Sequence, residues 1–294
     1  VNLLQTLLDA LSLGAIYALA ALGVGLIFSV MRLINFAHGE LITTAGFTAY
    51  ALSGERLPVR LSGALAAAVV LALVMERIAF RPIRRASSST LLVTSFAVSY
   101  LLQHVIVLIF GARPLGVSLL PGLAESLAIP GGLRVPRLEI ATIGSTLVLL
   151  AGRLAILYRT SIGIQMRAAA EDFTTARLVG IRANRVIAMA FAISGLLAAF
   201  LGIYEAAQSG TVSYRMGVDL VLIAFVASVV GGMGSLAGAA LGGLVVGVIS
   251  IGLQAFLPEG WRAYRDAFLF GLFLLFLIGR PQGLVFRRYQ RERV

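Results

Sequence analysis

Between Leu220 and Pro258 the chain runs for 39 residues without one charged side chain. As a single helix that run would rise about 58 Å, nearly twice the roughly 30 Å of hydrocarbon in a bilayer. Gly231, Gly232, Met233, Gly234 and Ser235 interrupt it near its middle, so it reads as two crossings joined by a turn. Residues 10–31, 86–112 and 186–204 are further uncharged runs long enough for one crossing each. Weaker candidates are 36–53, 61–80, 139–158 and 263–279, each bordered or interrupted by a charged residue. The best count is nine crossings within a range of eight to ten, and 36–53 is the candidate for a re-entrant segment. With 59% hydrophobic and 13% charged residues, against about 25% charged in soluble proteins, a water-soluble fold is excluded. The expected fold is an all-α, polytopic transmembrane helix bundle forming a single domain over residues 1–294.

The net charge of +11 does not point to nucleic acid. All 24 basic residues are Arg and they lie between apolar runs, the placement that sets membrane orientation. Basic residues in short loops are retained on the cytoplasmic side. Arg77, Arg81, Arg84 and Arg85 form one cluster; Arg153, Arg159, Arg167, Arg177, Arg182 and Arg185 a second; Arg280, Arg287, Arg288, Arg291 and Arg293 a third. Nine crossings put all three on one face together with Arg32, giving 16 Arg there and 8 on the other. The N-terminus is therefore expected outside and the C-terminus in the cytoplasm. The first span reads as a retained crossing, because no basic residue precedes it and its 22-residue run exceeds a signal-peptide core. The absence of cysteine removes disulfides, thiolate catalysis and Cys-based metal sites; neither a metal nor a cofactor is expected.

Small residues four apart let helices approach closely in lipid. Gly234 with Gly238, Gly238 with Gly242, and Gly243 with Gly247 make a run of such pairs, suited either to packing within the bundle or to a subunit interface. Residues 111–138 carry Pro114, Pro121, Pro130 and Pro136 and are expected to form an irregular external cap or a short re-entrant piece; 207–218 and 258–262 are external turns. Residues 159–185 differ. Arg167 to Ala176 is a strong helix-forming stretch with Gly180 as its C-cap. On it Met166, Ala169 or Ala170, and Phe173 recur at helical spacing, while Arg167 and Glu171 form an i, i+4 pair. Such a helix either lies on lipid headgroups or docks a cytoplasmic partner.

At this point the chain resembles a known family. Ser12-Leu-Gly-Ala-Ile-Tyr-Ala-Leu-Ala-Ala-Leu-Gly-Val-Gly-Leu-Ile-Phe28 followed by Arg32-Leu-Ile-Asn-Phe-Ala-His-Gly-Glu40 is similar to the opening signature of branched-chain amino acid ABC transporter permeases of the LivH type. Arg167-Ala-Ala-Ala-Glu-Asp172, Leu178-Val-Gly-Ile181, Gly231-Gly-Met-Gly-Ser-Leu-Ala-Gly238 and Gly279-Arg-Pro-Gln-Gly-Leu-Val-Phe286 resemble its later segments, in order. The resemblance implies an ABC importer permease fold in a prokaryotic inner membrane, with a LivM-like second permease, two cytoplasmic ATP-binding subunits and an extracytoplasmic substrate-binding protein as partners. It also implies that Gly163, Arg167, Ala168, Glu171, Asp172 and Gly180 belong to the segment coupling the permease to the ATPase. The chain has no Gly-x-x-x-x-Gly-Lys-Ser/Thr loop and no Lys to serve one, so it is not expected to be the enzyme of such a system. Related permeases with the same opening carry urea, short amides or other amino acids, and the sequence does not choose among these solutes.

Five residues are candidates for the translocation pathway: Asn35, His38, Gly39, His104 and Glu205. Polar groups in hydrocarbon normally face protein, water or headgroups. Asn35 and His38 either stabilise a broken helix, with Gly39 at the bend, or form a connecting turn with Asn35 as N-cap. His104, beside Gln103 in mid-span, is either functional or a neutral imidazole bonded to a neighbouring helix. Glu205 either meets a substrate's ammonium group at the external mouth or faces headgroups. Arg153 is expected to snorkel, and Ser87 to Thr90 to start a helix. A stand-alone channel or secondary transporter would need mid-membrane carboxylates, whereas most acids here sit at span ends. No HExxH or GxSxG pattern supports a hydrolase.

Overall fold

The computed structural model describes residues 3–32, 34–84, 86–123, 125–129, 133–171, 173–232, 235–280 and 283–285. Its helices are α1 (Leu3–Met31), α2 (His38–Ala51), α3 (Leu57–Met75), α4 (Arg81–Ile83), α5 (Ser88–Phe110), α6 (Arg137–Arg159), α7 (Ser161–Glu171), α8 (Phe173–Leu178), α9 (Ala183–Ser209), α10 (Met216–Gly231), α11 (Leu236–Phe256) and α12 (Arg265–Gly279). A π-helical turn, Glu76–Phe80, joins α3 to α4, and 3-10 turns occupy Pro121–Leu123 and Glu259–Tyr264. Each expected crossing coincides with a helix. Among the described residues six helical segments, those of α1, α3 with α4, α5, α6, α9 and α11, are long and apolar enough to span a bilayer. The other three, α2, α10 and α12, have 14, 16 and 15 residues and rise only about 21–24 Å.

Burial divides the helices into a centre and a shell. α1 is apolar all round and deeply buried, as a central helix must be; it packs on α9, α10 and α11. α3, α5 and α6 leave most of their surface outside, and Val93, Leu101, Leu108 and Ile109 of α5 are among the most exposed apolar side chains. The glycines of α11 serve contacts within the chain. A methyl group on Gly243 would collide with the backbone of Ala18, one on Gly247 with that of Gly14, and one on Gly242 with the Ala227 carbonyl. α11 therefore uses one small-residue face for α1 and another for α10. Gly234 lies outside the described residues.

α1 ends at Arg32, whose φ of 55° is left-handed, and the chain turns back into the bundle. Ser95 of α5 holds this return, its hydroxyl 3.3 Å from both the Phe36 N–H and the Ile34 carbonyl. α2 then starts among buried residues: His38 meets Ser194, near the middle of α9, and Gly39 packs on Gly217 at the start of α10. The Gly217 N–H donates to Thr43 Oγ1 at 3.2 Å. Residues 36–53 thus contribute a half-length interior helix, and the first turns of α2 and α10 meet inside the bundle.

The described members of the Arg clusters share one end of the bundle, while Arg85, Arg287, Arg288, Arg291 and Arg293 lie outside the described residues. Arg84, beyond α4, bonds Asn184 at the start of α9 at 2.5 Å, α6 runs straight into α7, and the Leu284 N–H donates to the Val230 carbonyl at 2.7 Å. At the other end the 111–138 segment is more ordered than an irregular cap. β2 (Ser126–Ile129) pairs with β3 (Leu133–Pro136), and β1 (Leu115–Gly116) pairs with β4 (Thr211–Val212), all antiparallel. Ser87 caps α5 as expected, accepting from the Thr90 N–H at 3.2 Å.

Three local expectations are corrected. Arg153 does not snorkel: it is 4% exposed and its Nη1 donates to the Leu22 carbonyl of α1 at 2.6 Å, because the broad α1 surface closes over the α6 face that carries it. Asn35 is not an N-cap, since α2 begins at His38 with Ala37 before it and no side-chain cap. Arg167 does not reach for Glu171 but lies over the Tyr158 ring, 4.7 Å from its centre, an aromatic face being at hand on α6.

Candidate functional site

Two assemblies of polar and exposed groups stand out, one at the Arg-rich end and one inside. At the Arg-rich end, Gly163 permits α7 to fold tightly under α6: a side chain there would collide with the carbonyls of Ile156 and Leu157. Thr160 Oγ1 accepts from the Gly163 N–H at 3.1 Å and closes the turn. Met166, Ala169 and Ala176 are buried against the bundle, so the apolar stripe read from the sequence packs on protein. The side chain of Phe173, and Asp172 altogether, lie outside the described residues.

α8 stops in a Schellman arrangement. The Ile181 N–H donates to the Ala176 carbonyl at 3.1 Å and the Gly180 N–H to the Arg177 carbonyl at 3.1 Å, with Gly180 in the left-handed region at φ 88°. That stop leaves Leu178 83% and Val179 73% exposed, flanked by exposed Arg177, Arg182 and Arg185. Glu171 is exposed, and Arg167 and Ala168 are half-buried. Gly163, Arg167, Ala168, Glu171 and Gly180 therefore belong to one buttressed segment. What it offers chemically is a mixed apolar and charged knob on a braced support.

Inside, the start of α2 gathers a polar cluster. Asn35 is 1% exposed, and among the described residues neither its Oδ1 nor its Nδ2 has a partner. His38 is fully buried, with Nδ1 3.0 Å from Ser194 Oγ. Because that hydroxyl donates to the Gly23 carbonyl at 3.1 Å, its oxygen is left to accept from Nδ1–H, and Nε2 carries the lone pair. Nε2 is unpartnered among the described residues and sits against Gly23. Glu40 is also fully buried. Its Oε1 accepts from Ser99 Oγ at 2.8 Å and from Gln103 Nε2 at 3.1 Å, and among the described residues its Oε2 has no partner.

Asn35, His38 and Gly39 thus stand together, and His104 stands apart. It lies on the outer side of α5, Nδ1 2.8 Å from its own Tyr100 carbonyl and ring against ring with Tyr100. Gln103, one position earlier and about 100° round the helix, is the residue that reaches the cluster. Sequence reasoning passed over Glu40 and Ser99 as site residues, although Ser95, Ser99 and Gln103 recur at four-residue spacing and mark a polar stripe. Glu205 is at the opposite end of the bundle from α7 and α8, one turn before α9 stops.

The cluster makes a direct prediction. Glu40→Leu removes the acceptor for the buried Ser99 hydroxyl, at roughly 1–3 kcal/mol for a buried donor left unsatisfied, and one of two acceptors for the half-buried Gln103 amide, which still reaches Ser99 Oγ at 3.0 Å. Glu40→Gln keeps an acceptor and should cost less than about 1 kcal/mol. Thermal unfolding in detergent checks this; a Glu40→Leu protein as stable as the native one would show that Ser99 and Gln103 do not depend on the carboxylate.

Comparison with known proteins agrees with this architecture. Residues 6–277 match the family described as branched-chain amino acid transport system, permease component. The chain is 32% identical over 300 residues to the high-affinity branched-chain amino acid transport system permease protein BraD of Pseudomonas aeruginosa, covering 97% of this chain and 96% of that one. It is 30% identical over 301 residues to the permease protein LivH of Escherichia coli (strain K12), again covering 97% and 96%. A shorter likeness, 36% over 163 residues, spans 53% of this chain and 45% of the autoinducer 2 import system permease protein LsrC of Klebsiella pneumoniae. With the match spanning nearly the whole bundle, the chain belongs to the family of permease components of branched-chain amino acid transport systems.

Proposed function

We propose that the protein is the membrane-embedded permease of an ATP-driven importer for branched-chain or related amino acids, and that α7 and α8 receive the ATPase. The observation that carries the coupling role is the stopped helix: Leu178 and Val179 are presented bare beside Arg177, on a segment locked under α6 by Gly163. The importer reading and its substrate class rest on full-length similarity to permeases named for branched-chain amino acid transport. In this reading the Arg-rich end is cytoplasmic, the N-terminus is outside, a LivM-like chain completes the pathway, and a binding protein delivers solute to the opposite end.

Alternating access then needs a lever and a gate. A lever works only if it meets its driver differently in two states. α7, packed beneath α6 and touching α1 and α9, passes a push on α8 into the bundle's central helices. α2 and α10 begin in mid-bundle, so their first turns are ends that a small rotation of α1 or α9 displaces. The polar groups of Asn35, His38 and Glu40 supply hydrogen-bonding capacity that one packing leaves unused and another can satisfy.

Reconstitution tests the reading. Proteoliposomes holding this chain, its partner permease and the ATPase pair should accumulate L-leucine only with ATP and the liganded binding protein. Uptake of L-leucine by this chain alone, driven by an ion gradient, would replace the importer reading with a secondary transporter.

A further inference from the structure

At the end of the bundle opposite α7 and α8, helices α1, α9, α10 and α12 enclose a cleft of about 510 Å³, within the range of small-molecule sites. Its walls combine three chemistries. Leu220 and Ile223 of α10 give an apolar side; Glu205, Asp219 and Asp266 give carboxylates; Arg265 gives a guanidinium.

The charges are not balanced within the cleft. Arg265 is spent on its neighbour, with Nε 2.9 Å and Nη2 2.8 Å from Asp266 Oδ1, which leaves it three N–H groups for another carboxylate. Glu205 is half-buried and Asp219 is exposed, and both carboxylate-bearing residues line the cleft. Among the described residues neither is in a salt bridge. Arg215, whose guanidinium lies over the Tyr214 ring at 5.8 Å, offsets Asp219 from outside. A cation placed between Glu205 and Asp219 would offset carboxylates that have no ion-pair partner among the described residues.

We propose that this cleft seats a zwitterionic α-amino acid with an aliphatic side chain, its ammonium between Glu205 and Asp219, its carboxylate at Arg265 and its side chain against Leu220 and Ile223. The inference rests on the importer reading and adds to it a place where solute sits within the permease. A lipid headgroup such as phosphatidylethanolamine offers an ammonium and a phosphate to the same groups, but no aliphatic side chain beside them for Leu220 and Ile223.

The chain's single tryptophan, Trp261, reports on the site: it stands in the 3-10 turn leading to Arg265, its ring 5.8 Å from that of Phe268. The full chain in phosphatidylglycerol nanodiscs is titrated with L-leucine, 3-methylbutylamine and 4-methylpentanoate while Trp261 emission is followed. L-leucine should give a saturable change, the amine a weaker one, and the carboxylate one at least about tenfold weaker than L-leucine. Glu205→Gln with Asp219→Asn should weaken L-leucine at least about tenfold with the thermal midpoint unchanged. No saturable response in the native chain, an equal affinity in the double variant, or a response that phosphatidylethanolamine produces in place of L-leucine would overturn the site. In the assembled importer, ATP-driven L-leucine uptake that the double variant leaves unaltered removes the cleft alone. L-leucine bound in the cleft without ATP-driven uptake removes the importer reading instead.

Discussion

Gly217→Val should be the most damaging single substitution in the bundle. A side chain at Gly217 collides with the Gly39 carbonyl and comes within 2.6 Å of Thr43 Oγ1, and neither partner can yield easily. Gly39 is itself blocked, since a methyl group there would sit 2.6 Å from the Gly217 carbonyl oxygen. Thr43 Oγ1 is committed, accepting from the Gly217 N–H and lying 3.2 Å from the Gly39 carbonyl. Overpacking a tight core costs about 1–3 kcal/mol when side chains can move; here backbones must separate, so a loss of at least ~3 kcal/mol is expected. Detergent-solubilised protein should lose its monodisperse elution and its cooperative thermal transition. Gly144→Ala is the matched control, because nothing lies within 4 Å of a methyl group there. In mid-helix that change should be neutral or stabilise by up to about 1 kcal/mol. If Gly217→Val unfolds no more readily than Gly144→Ala, the first turns of α2 and α10 do not meet as described.

That contact also marks where sequence reasoning stopped. Nine apolar stretches were readable because hydrocarbon demands about 20 uncharged helical residues per crossing, and the break at 231–235 was readable because glycines interrupt a run too long for one. Helix length within lipid was not. α2 and α10 begin inside the bundle, and their capping partners, Thr43 for Gly217 and Ser95 for Phe36, are 174 and 59 positions away. The choice between an intramolecular and an intermolecular role for the α11 glycines needed the position of α1. At the site, Asn35 and His38 were visible as polar residues in an apolar setting, and the structure keeps them together. His104 and Gln103 show the limit of depth alone: both are mid-span, and only the rotation of α5 about its axis sends Gln103 to Glu40 and His104 outward. Arg153 failed for a related reason. Snorkelling assumes a lipid-facing flank, whereas the α6 flank carrying Arg153 is covered by α1 and finds the Leu22 carbonyl there.

The proposed coupling segment permits a sharper separation of folding from work. Glu171→Arg with Asp172→Arg should abolish ATP-driven uptake and transport-linked ATP hydrolysis while membrane insertion and the thermal transition persist. The folding half of that expectation follows from burial. Glu171 is exposed and takes no part in the contacts that brace α7, which run through Gly163, Met166 and Ala169 on the opposite face; surface changes of this kind usually stay within about ±0.5 kcal/mol. The functional half follows from sign. Arg167, Arg177, Arg182 and Arg185 already crowd the segment, so these acids are the only negative charges between Arg159 and Arg185. A double reversal there changes the local charge by four and turns attraction for a basic groove into repulsion, where misplaced like charges cost several kcal/mol. Leu178→Ser with Val179→Ser offers an uncharged companion that removes only the bare apolar knob. It should weaken ATPase co-purification without altering the Schellman stop, which is made of backbone groups. If both double variants transport at the native rate, α7 and α8 are not the docking element, and the drive from ATP must enter the bundle elsewhere.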